Sequence, residues 1–426
     1  MRSSTIFFFF YLSASVSALT LDEAIEKTLK THPNAQVASL QYESAIESAK
    51  SADSALYPRI DANAAYFPTK TFVMPTNGVF STKQSNSFHG DISGSYSLWD
   101  FGRSRDRYNS ALSVQEGAGS TKKLTQNELI ERVWSQYYGV AYAHSLIDTA
   151  EASVKFYEGQ FKQALNMRKG GLKTEADELR FKASLLESHD RALRARIEYD
   201  KASLSLGILI GNDTLAAVDP AVLDQRCEAL SLQSISLESL RQELRENNPQ
   251  LKALRSSINA AKGLSDASAH EKYGNIALVG SYGYDDSLSA YDSYQAGVMG
   301  TIPLYDGGKL SAEGQKSRIA YSIAQKEFEN TERQLWQEVY GAYRDFARAD
   351  ESIQSKESVI DATAKSLHLI EGRYGQGLAT YVDVLESQST LENAKSDLSQ
   401  AKYQKIGAYA HLQRLLNKGC VNDICK

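Results

Sequence analysis

Residues 97–102 read Ser-Leu-Trp-Asp-Phe-Gly, and residues 302–308 read Ile-Pro-Leu-Tyr-Asp-Gly-Gly. Leu98, Asp100 and Gly102 return as Leu304, Asp306 and Gly308, 206 positions later. The same separation carries Val133 to Val339, Tyr137 to Tyr343, Gly171-Leu172 to Gly377-Leu378, Thr174 to Thr380 and Asp177 to Asp383. Upstream the separation is 216, taking Pro33 to Pro249 and Tyr57 to Tyr273, so the first copy holds ten extra residues between 66 and 88. A period this long is a duplicated domain, since solenoid repeats run to roughly 20–50 residues.

Each motif ends a pair of segments with period-two alternation. Ile60, Ala62, Ala64 and Tyr66 are apolar against Asp61 and Asn63. Phe88, Gly90, Ile92, Gly94, Tyr96 and Leu98 stand against His89, Asp91, Ser93, Ser95 and Ser97. The second copy gives Ile276, Leu278, Gly280, Tyr282 and Tyr284, then Tyr294, Ala296, Val298, Gly300, Ile302 and Leu304. Strands are expected at about 59–67, 88–99, 275–285 and 293–304. Segments of about ten residues, apolar on one face and small or polar on the other, suit transmembrane β-strands. They equally suit a soluble antiparallel sheet with one wet face. On the membrane reading, Ile60, Ile92, Leu98, Leu278, Val298 and Ile302 face lipid, with Tyr66, Phe88, Tyr282 and Tyr294 near the headgroups.

The segments after the motifs are helical and very long. No proline interrupts 103–167 or 309–373, so at about 1.5 Å per residue each could extend nearly 100 Å. Leu335, Val339, Ala342, Phe346 and Ala349 recur at spacings of three and four with charges between them, which predicts coiled-coil packing. Each copy then has a glycine turn and a second long helix. Thr174 with Asp177 and Thr380 with Asp383 read as capping boxes at these helix starts.

Bulk composition narrows the class. The chain has 426 residues, net charge −5 and a pI near 5.9, which gives no reason to expect a nucleic-acid partner. Arg2, the run Ile6–Leu12 and Val16-Ser17-Ala18 form a secretory signal expected over 1–18. The mature layout is a first repeat over 19–210, a linker over 211–236, a second repeat over 237–418 and a tail over 419–426. No cysteine lies just past the cleavage site to carry a lipid, and no later stretch is apolar enough for a spanning helix. Cys227, Cys420 and Cys425 would meet an oxidising compartment; either Cys420 pairs with Cys425 or Cys227 pairs with one of them. The seven histidines lack metal-ligand spacing, and no catalytic motif or cofactor signature is present, so neither metal, cofactor nor enzyme activity is expected.

Four membrane strands cannot close a barrel, and an open edge in lipid leaves backbone groups unpaired at several kcal/mol each. Closure must come from copies. Two copies give eight strands, whose interior side chains largely fill, and three give twelve with room for a water-filled lumen. The expected fold is therefore mainly α with transmembrane β. A duplicated helix-strand-strand-helix-helix protomer would form a trimeric twelve-stranded β-barrel continued by a long α-helical barrel.

The chain resembles the TolC-like outer-membrane factors, the exit ducts of Gram-negative efflux pumps and type I secretion systems. The resemblance covers essentially the whole mature chain. It is carried by Leu19-Thr20-Leu21-Asp22-Glu23-Ala24-Ile25, Leu56-Tyr57-Pro58-Arg59-Ile60, the two Leu-x-Asp-x-Gly motifs and the run from Tyr374 through Val382-Asp383-Val384-Leu385. It implies a homotrimer in the outer membrane with a large periplasmic part and an equatorial region near 211–236 and the C-terminus. The implied partners are a periplasmic adaptor and an inner-membrane transporter of ABC or RND type. Gly171, Leu172, Gly377 and Leu378 would form periplasmic tips where the adaptor docks. Asp383, Glu386 and Tyr374 would belong to the constriction; where members of the family carry a latching basic residue, this chain has Ala379.

Two other classes compete, a periplasmic adaptor and a structural rod without a pore. The adaptor has one helical hairpin and usually an inner-membrane anchor, whereas here strands interrupt the helices twice. A cytoskeletal rod would need neither the signal nor the strand pairs. For Asp383 and Glu386, helix capping and a pore constriction are compatible. Arg180 stands where Glu386 does in the second copy, so capping explains Asp383 and leaves Glu386 over. Acids crowded at a threefold constriction would attract cations and raise some of their own pKa values.

Overall fold

The computed structural model describes residues 19–76, 79–231, 236–286 and 290–418. The expected signal over 1–18 and the tail carrying Cys420 and Cys425 lie outside them. In chain order the helices and strands are α1 (Leu21–Thr31), α2 (Pro33–Asp53), β1 (Arg59–Thr76), β2 (Val79–Trp99), α3 (Arg103–Lys169), α4 (Glu175–Leu209), α5 (Val222–Ala229), α6 (Leu237–Asn247), α7 (Pro249–His270), β3 (Asn275–Asp286), β4 (Ala290–Thr301), α8 (Lys309–Gly375) and α9 (Tyr381–Leu415). They group into two compact units, one of Ala38–Lys123 with Pro249–Arg333, the other of Leu124–Asn248 with the described residues before Ala38 and after Arg333.

The first of these units holds one antiparallel sheet in the order β1-β2-β3-β4. Its register keeps parity across three interfaces, with Ala62 opposite Ile92, Ile92 opposite Tyr282, Tyr96 opposite Leu278 and Leu278 opposite Val298. The even residues of β1, β2 and β3 are the more exposed set, while Asp61, Asp91, Ser93, Ala277 and Gly283 on the other face are partly or fully buried. The extra residues of the first copy lengthen its hairpin, so β1 and β2 run past the expected ends at 67 and 88, through an irregularity at Phe67/Lys70. The Leu-x-Asp-x-Gly motif turns strand into helix. Asp100 accepts the amides of Gly102 at 3.2 Å and Ser104 at 2.8 Å, and Asp306 accepts those of Gly308 at 2.9 Å and Leu310 at 2.6 Å. Each aspartate satisfies donors that the first helical turn leaves free. The turn needs two consecutive left-handed residues, Phe101 and Gly102 (φ 60° and 93°) or Gly307 and Gly308 (φ 67° and 88°), which explains the glycines. In this unit α3 packs closely on α7. Ser110 donates to the Ala260 carbonyl at 2.8 Å and Gly263 sits against Ser110 and Asp106.

The second unit is helical. A capping box of Thr20 and Glu23 starts α1, which accounts for the Leu-Thr-Leu-Asp-Glu run, and Ala24 and Ile25 enter the main core. That core joins Ile130, Val133, Trp134 and Tyr137 of α3 to Leu206 of α4, Leu223 and Cys227 of α5, Phe346 of α8 and Ile406 of α9. Lys405 is 5 % exposed there, held by the Cys227 carbonyl at 2.9 Å and Asp350 at 2.7 Å. A second core at the hairpin ends gathers Tyr157, Ala164, Phe181, Tyr374 and Val384.

Candidate functional site

The hairpin ends repeat the same backbone devices. Gly171 and Gly377 take φ of 72° and 77° just past α3 and α8. Leu172 then donates to the Met167 carbonyl at 2.9 Å and Leu378 to that of Arg373 at 2.8 Å. These are matched Schellman closures, which use a left-handed glycine to satisfy the last helical carbonyls. Leu172 and Leu378 themselves point into solvent.

Two residues on, both capping boxes form as expected. Asp383 accepts the Thr380 amide at 2.7 Å and its hydroxyl at 2.8 Å. Asp177 accepts the Thr174 amide at 3.4 Å and its hydroxyl at 3.0 Å. The backbone bond from Thr380, followed by its hydroxyl, holds the Asp383 carboxyl below the usual range, while the weaker effect of burial opposes this. Crowding of acids in a ring is a property of an assembly; within one chain the cap sets the sign. Glu386 lies one turn on and exposed; its carbonyl accepts the Thr390 hydroxyl at 2.8 Å, and among the described residues its carboxylate meets no donor. The structure thus separates the acids as the repeat does, one in a cap and one directed elsewhere.

Tyr374 does not stand at a surface in the chain. It is 1 % exposed, edge-on to Phe181 at 5.6 Å, and its buried hydroxyl finds no acceptor among the described residues. Burial, then the nearby Asp177 charge, raises its pKa. Lys173 carries its ammonium 4.5 Å over the Tyr374 ring. Lys173 is the first-copy counterpart of Ala379, which packs partly buried beside the same core. The repeat could have exposed this exchange of a basic residue between copies, since 173 and 379 are 206 apart.

Sequence reading also missed the other ends of these hairpins. Helix α4 closes with Gly211 at φ 78° and α9 with Asn417 at φ 56°, again 206 apart. Asparagine is the common substitute for glycine at this position. Two polar groupings were missed as well. Ser153 and Gln388 donate to Glu392, with Arg191 3.6 Å from the same carboxylate. Glu131 meets His411 at 2.7 Å and Arg414 at 2.5 Å. They carry no motif because each joins α9 to a partner more than two hundred positions away, Ser153 to Glu392 and Glu131 to His411.

On the sheet, Ile60, Ile92, Leu278 and Val298 share one exposed face. Two expected members are also exposed but stand outside the paired register. Leu98 falls in a bulge between Ser97 and Trp99, and beyond it Trp99, not Leu98, lies opposite Ile276. An inserted residue shifts the parity of the remainder of its strand. Ile302 lies past β4, because β3 begins at Asn275 opposite Thr301 and Pro303 brings no amide for a further rung. Cys227 is buried in α5, burial raising its thiol pKa, and no other cysteine lies among the described residues. Those residues also hold no cluster of metal-ligating side chains and no helix apolar enough to cross a membrane.

A meander of membrane-type strands joined to long paired helices through a duplicated turn describes an outer-membrane channel protomer. The chain belongs to the outer membrane efflux protein family, whose model matches residues 24–212 and 240–418. It is 23% identical to the alkaline protease secretion protein AprF of Pseudomonas aeruginosa, over 95% of this chain and 86% of that protein. To the outer membrane protein TolC of Escherichia coli it is 23% identical, over 92% of this chain and 81% of that protein. Among solved structures, the outer membrane protein VceC from Vibrio cholerae superposes with a TM-score of 0.80 at 18% identity, over 93% of this chain and 95% of that one. The chain is an outer-membrane protein of the exit-duct class, and members of the family are channels rather than enzymes.

Proposed function

We propose that three copies of the chain close a twelve-stranded barrel in the outer membrane. The trimer receives cargo from a periplasmic adaptor and an inner-membrane transporter of ABC or RND type, and conducts it passively outward. The observation that carries this reading is the sheet: four strands with one exposed apolar face and free edges on β1 and β4. In lipid such edges require partners. Applying the repeat to the Ile92–Tyr282 pair sets Val298 of one copy opposite Tyr66 of the next, so β4 and β1 continue the ladder in register. The proposed domain limits remain 19–210 and 237–418, with 211–236 forming an equatorial segment. The tips at Gly171-Leu172 and Gly377-Leu378 offer exposed leucines to the adaptor's helical hairpins.

Asp383 and Glu386 supply the constriction in this reading, as stacked rings of carboxylates that favour cations. The relatives' names span protease secretion and, in TtgC of Pseudomonas putida, toluene efflux. Isolation of the transporter that co-purifies assigns the cargo. The direct test is single-channel recording of the trimer in a planar bilayer. The natural chain should pass current, prefer cations and be blocked by polyvalent cations, and Asp383→Asn with Glu386→Gln should lose both preference and block. A double variant that keeps them moves the constriction elsewhere, and a natural chain that passes no current removes the duct.

A further inference from the structure

The two return helices end alike, bond for bond. Past α4, Ile210 donates to the Leu206 carbonyl at 3.1 Å, Gly211 to that of Ile208 at 3.0 Å and Asn212 to that of Gly207 at 2.9 Å. Past α9, Leu416 donates to Leu412 at 3.0 Å, Asn417 to Arg414 at 3.1 Å and Lys418 to Gln413 at 2.8 Å. Each of these residues stands 206 positions from its counterpart. In the first copy the chain then lies back along α4: the Ala216 amide donates to the Ser203 carbonyl at 3.2 Å, and Ala216 and Val218 are buried. Moved forward by 206, Ser203, Gly207, Ala216 and Val218 become Tyr409, Gln413, Asn422 and Ile424.

Beside Tyr409 and Gln413 lies a cavity of about 40 Å³, lined also by Trp134, Arg226, Arg414 and Lys418. One water needs about 10–15 Å³ by this measure, so the space suits about three waters or a single carboxyl group. Its lining is cationic. Glu131 answers Arg414, and Glu243 answers Lys418 at 2.8 Å. Nothing answers Arg226. Its guanidinium stands 4.7 Å from the Trp134 ring and 5.9 Å from that of Tyr409, and its buried Nε has no acceptor among the described residues. Ring faces attract the charge of a guanidinium but leave its in-plane N–H donors unmet.

We propose that this cavity is the seat of the chain's own tail, residues 419–426, which folds back along α9 as 212–218 do along α4 and sets the Asp423 carboxylate against Arg226. The repeat supplies the path: Asn422 comes level with Tyr409, as Ala216 does with Ser203, and Asp423 follows it. Ile424 takes the place of the buried Val218. Charge supplies the partner, because Asp423 is the one acid in 419–426 and a guanidinium takes a carboxylate in paired, charge-assisted bonds. Size excludes a bulkier occupant, since the space admits a carboxyl group and little more. Gln413 changes how the tail is held. A Cβ on Gly207 would fall 2.0 Å from the Thr214 carbonyl oxygen, so beside Gln413 the tail stands off its helix by the width of a side chain. The backbone rung of the first copy thus gives way to an ion pair in the second. The result is a strap that fastens the end of α9 to α5, in the linker between the repeats.

The test is amide hydrogen exchange of the full-length protein in its native assembly, read on the peptide covering 419–426. In the natural chain those amides should exchange on the order of 100-fold more slowly than in an unstructured peptide. Asp423→Asn and Arg226→Gln should each remove that protection while the amides of α9 keep theirs, and Arg226→Asp with Asp423→Arg should return most of it. A natural tail that exchanges at the unstructured rate overturns the seat, and so does protection that survives Asp423→Asn. Should Arg226→Gln fail to fold, the natural chain and Asp423→Asn decide alone. Two other occupants would show themselves, and either overturns the proposal. If the tail of a neighbouring copy fills the cavity, co-expressing Arg226→Gln chains with Asp423→Asn chains brings part of the protection back, whereas a seat within one chain leaves every tail unprotected. If a free carboxylate fills it, added acetate raises the melting temperature of the natural chain and not of Arg226→Gln, while the tail stays unprotected.

Discussion

The first and second repeats share their backbone devices residue for residue and differ where side chains meet neighbours. Both make the Asp-capped turn into the long helix, both close it with a left-handed glycine, and both start the return helix with a Thr–Asp box. Yet Lys173 answers Ala379, Arg180 answers Glu386, and Gly207 answers Gln413. The lesson is that turn chemistry is fixed by local geometry, which duplication preserves. Side-chain chemistry is fixed by surroundings, which differ for the two copies.

The sheet is where the repeats should behave most alike, and it carries the largest expected effect. Ile92 and Val298 occupy matching places on the exposed face. Arginine at either should cost about 2–4 kcal/mol near the bilayer midplane, while Ser93→Arg on the opposite face should be tolerated. The fraction of trimer in isolated membranes measures this. Equal assembly of Ile92→Arg and Ser93→Arg would remove the assignment of faces, and unequal loss at Ile92 and Val298 would show that the repeats sit at different depths.

Gly207 and Gln413 should behave least alike. A Cβ on Gly207 would fall 2.0 Å from the Thr214 carbonyl oxygen and 2.9 Å from that of Asn212. The chain folds back there, with Ser203 donating to the Ala216 carbonyl at 2.5 Å and the Ala216 amide to Ser203 at 3.2 Å. Gly207→Ala should therefore cost roughly 3 kcal/mol, the upper end for overpacking, whereas Gln413→Ala should cost under about 1 kcal/mol. Denaturant unfolding of the detergent-solubilised protein compares them, and equal losses would mean that the fold-back yields easily.

Much of this was legible in the sequence because it is periodic or local. Strand parity, helix length and the Thr-x-x-Asp boxes are set by spacing alone. What escaped was set by distant partners or by insertions. The bulge at Leu98 and the end of β4 before Ile302 depend on register against β3, which no single strand encodes. Burial of Tyr374 depends on Phe181 of another helix, so a tyrosine expected at a constriction stands in a core. Breaking that core tests the asymmetry on a smaller scale. Lys173→Met should lose about 1 kcal/mol of cation–π attraction to the buried ring, and Ala379→Lys should not restore it, because position 379 packs on apolar neighbours.

The smallest expected difference lies in the two capping boxes, and it is set by pH. Replacing a threonine N-cap with alanine typically costs about 1 kcal/mol, so Thr174→Ala should loosen the start of α4 by that order. At neutral pH Thr380→Ala should loosen α9 comparably. Asp383 has a folded pKa depressed by the Thr380 amide and hydroxyl. A depressed carboxyl contributes stability that is present above its unfolded pKa and is lost as pH falls through the lower, folded value. Acidification should therefore weaken the natural tip only below the ordinary aspartate range. In Thr380→Ala the shift is largely gone, because the hydroxyl is removed and the turn that aims the amide frays, so most of that acid dependence should go with it. Amide hydrogen exchange over residues 380–384, followed between about pH 5 and pH 3 after correction for intrinsic rates, reads the difference. Natural protein should lose protection on acidification while the variant stays uniformly low. Parallel curves would mean that Asp383 is held down by something other than its cap. The long-range charge of Arg373 would then take over as the cause, and the second copy would differ from the first in electrostatics before any neighbouring copy is added.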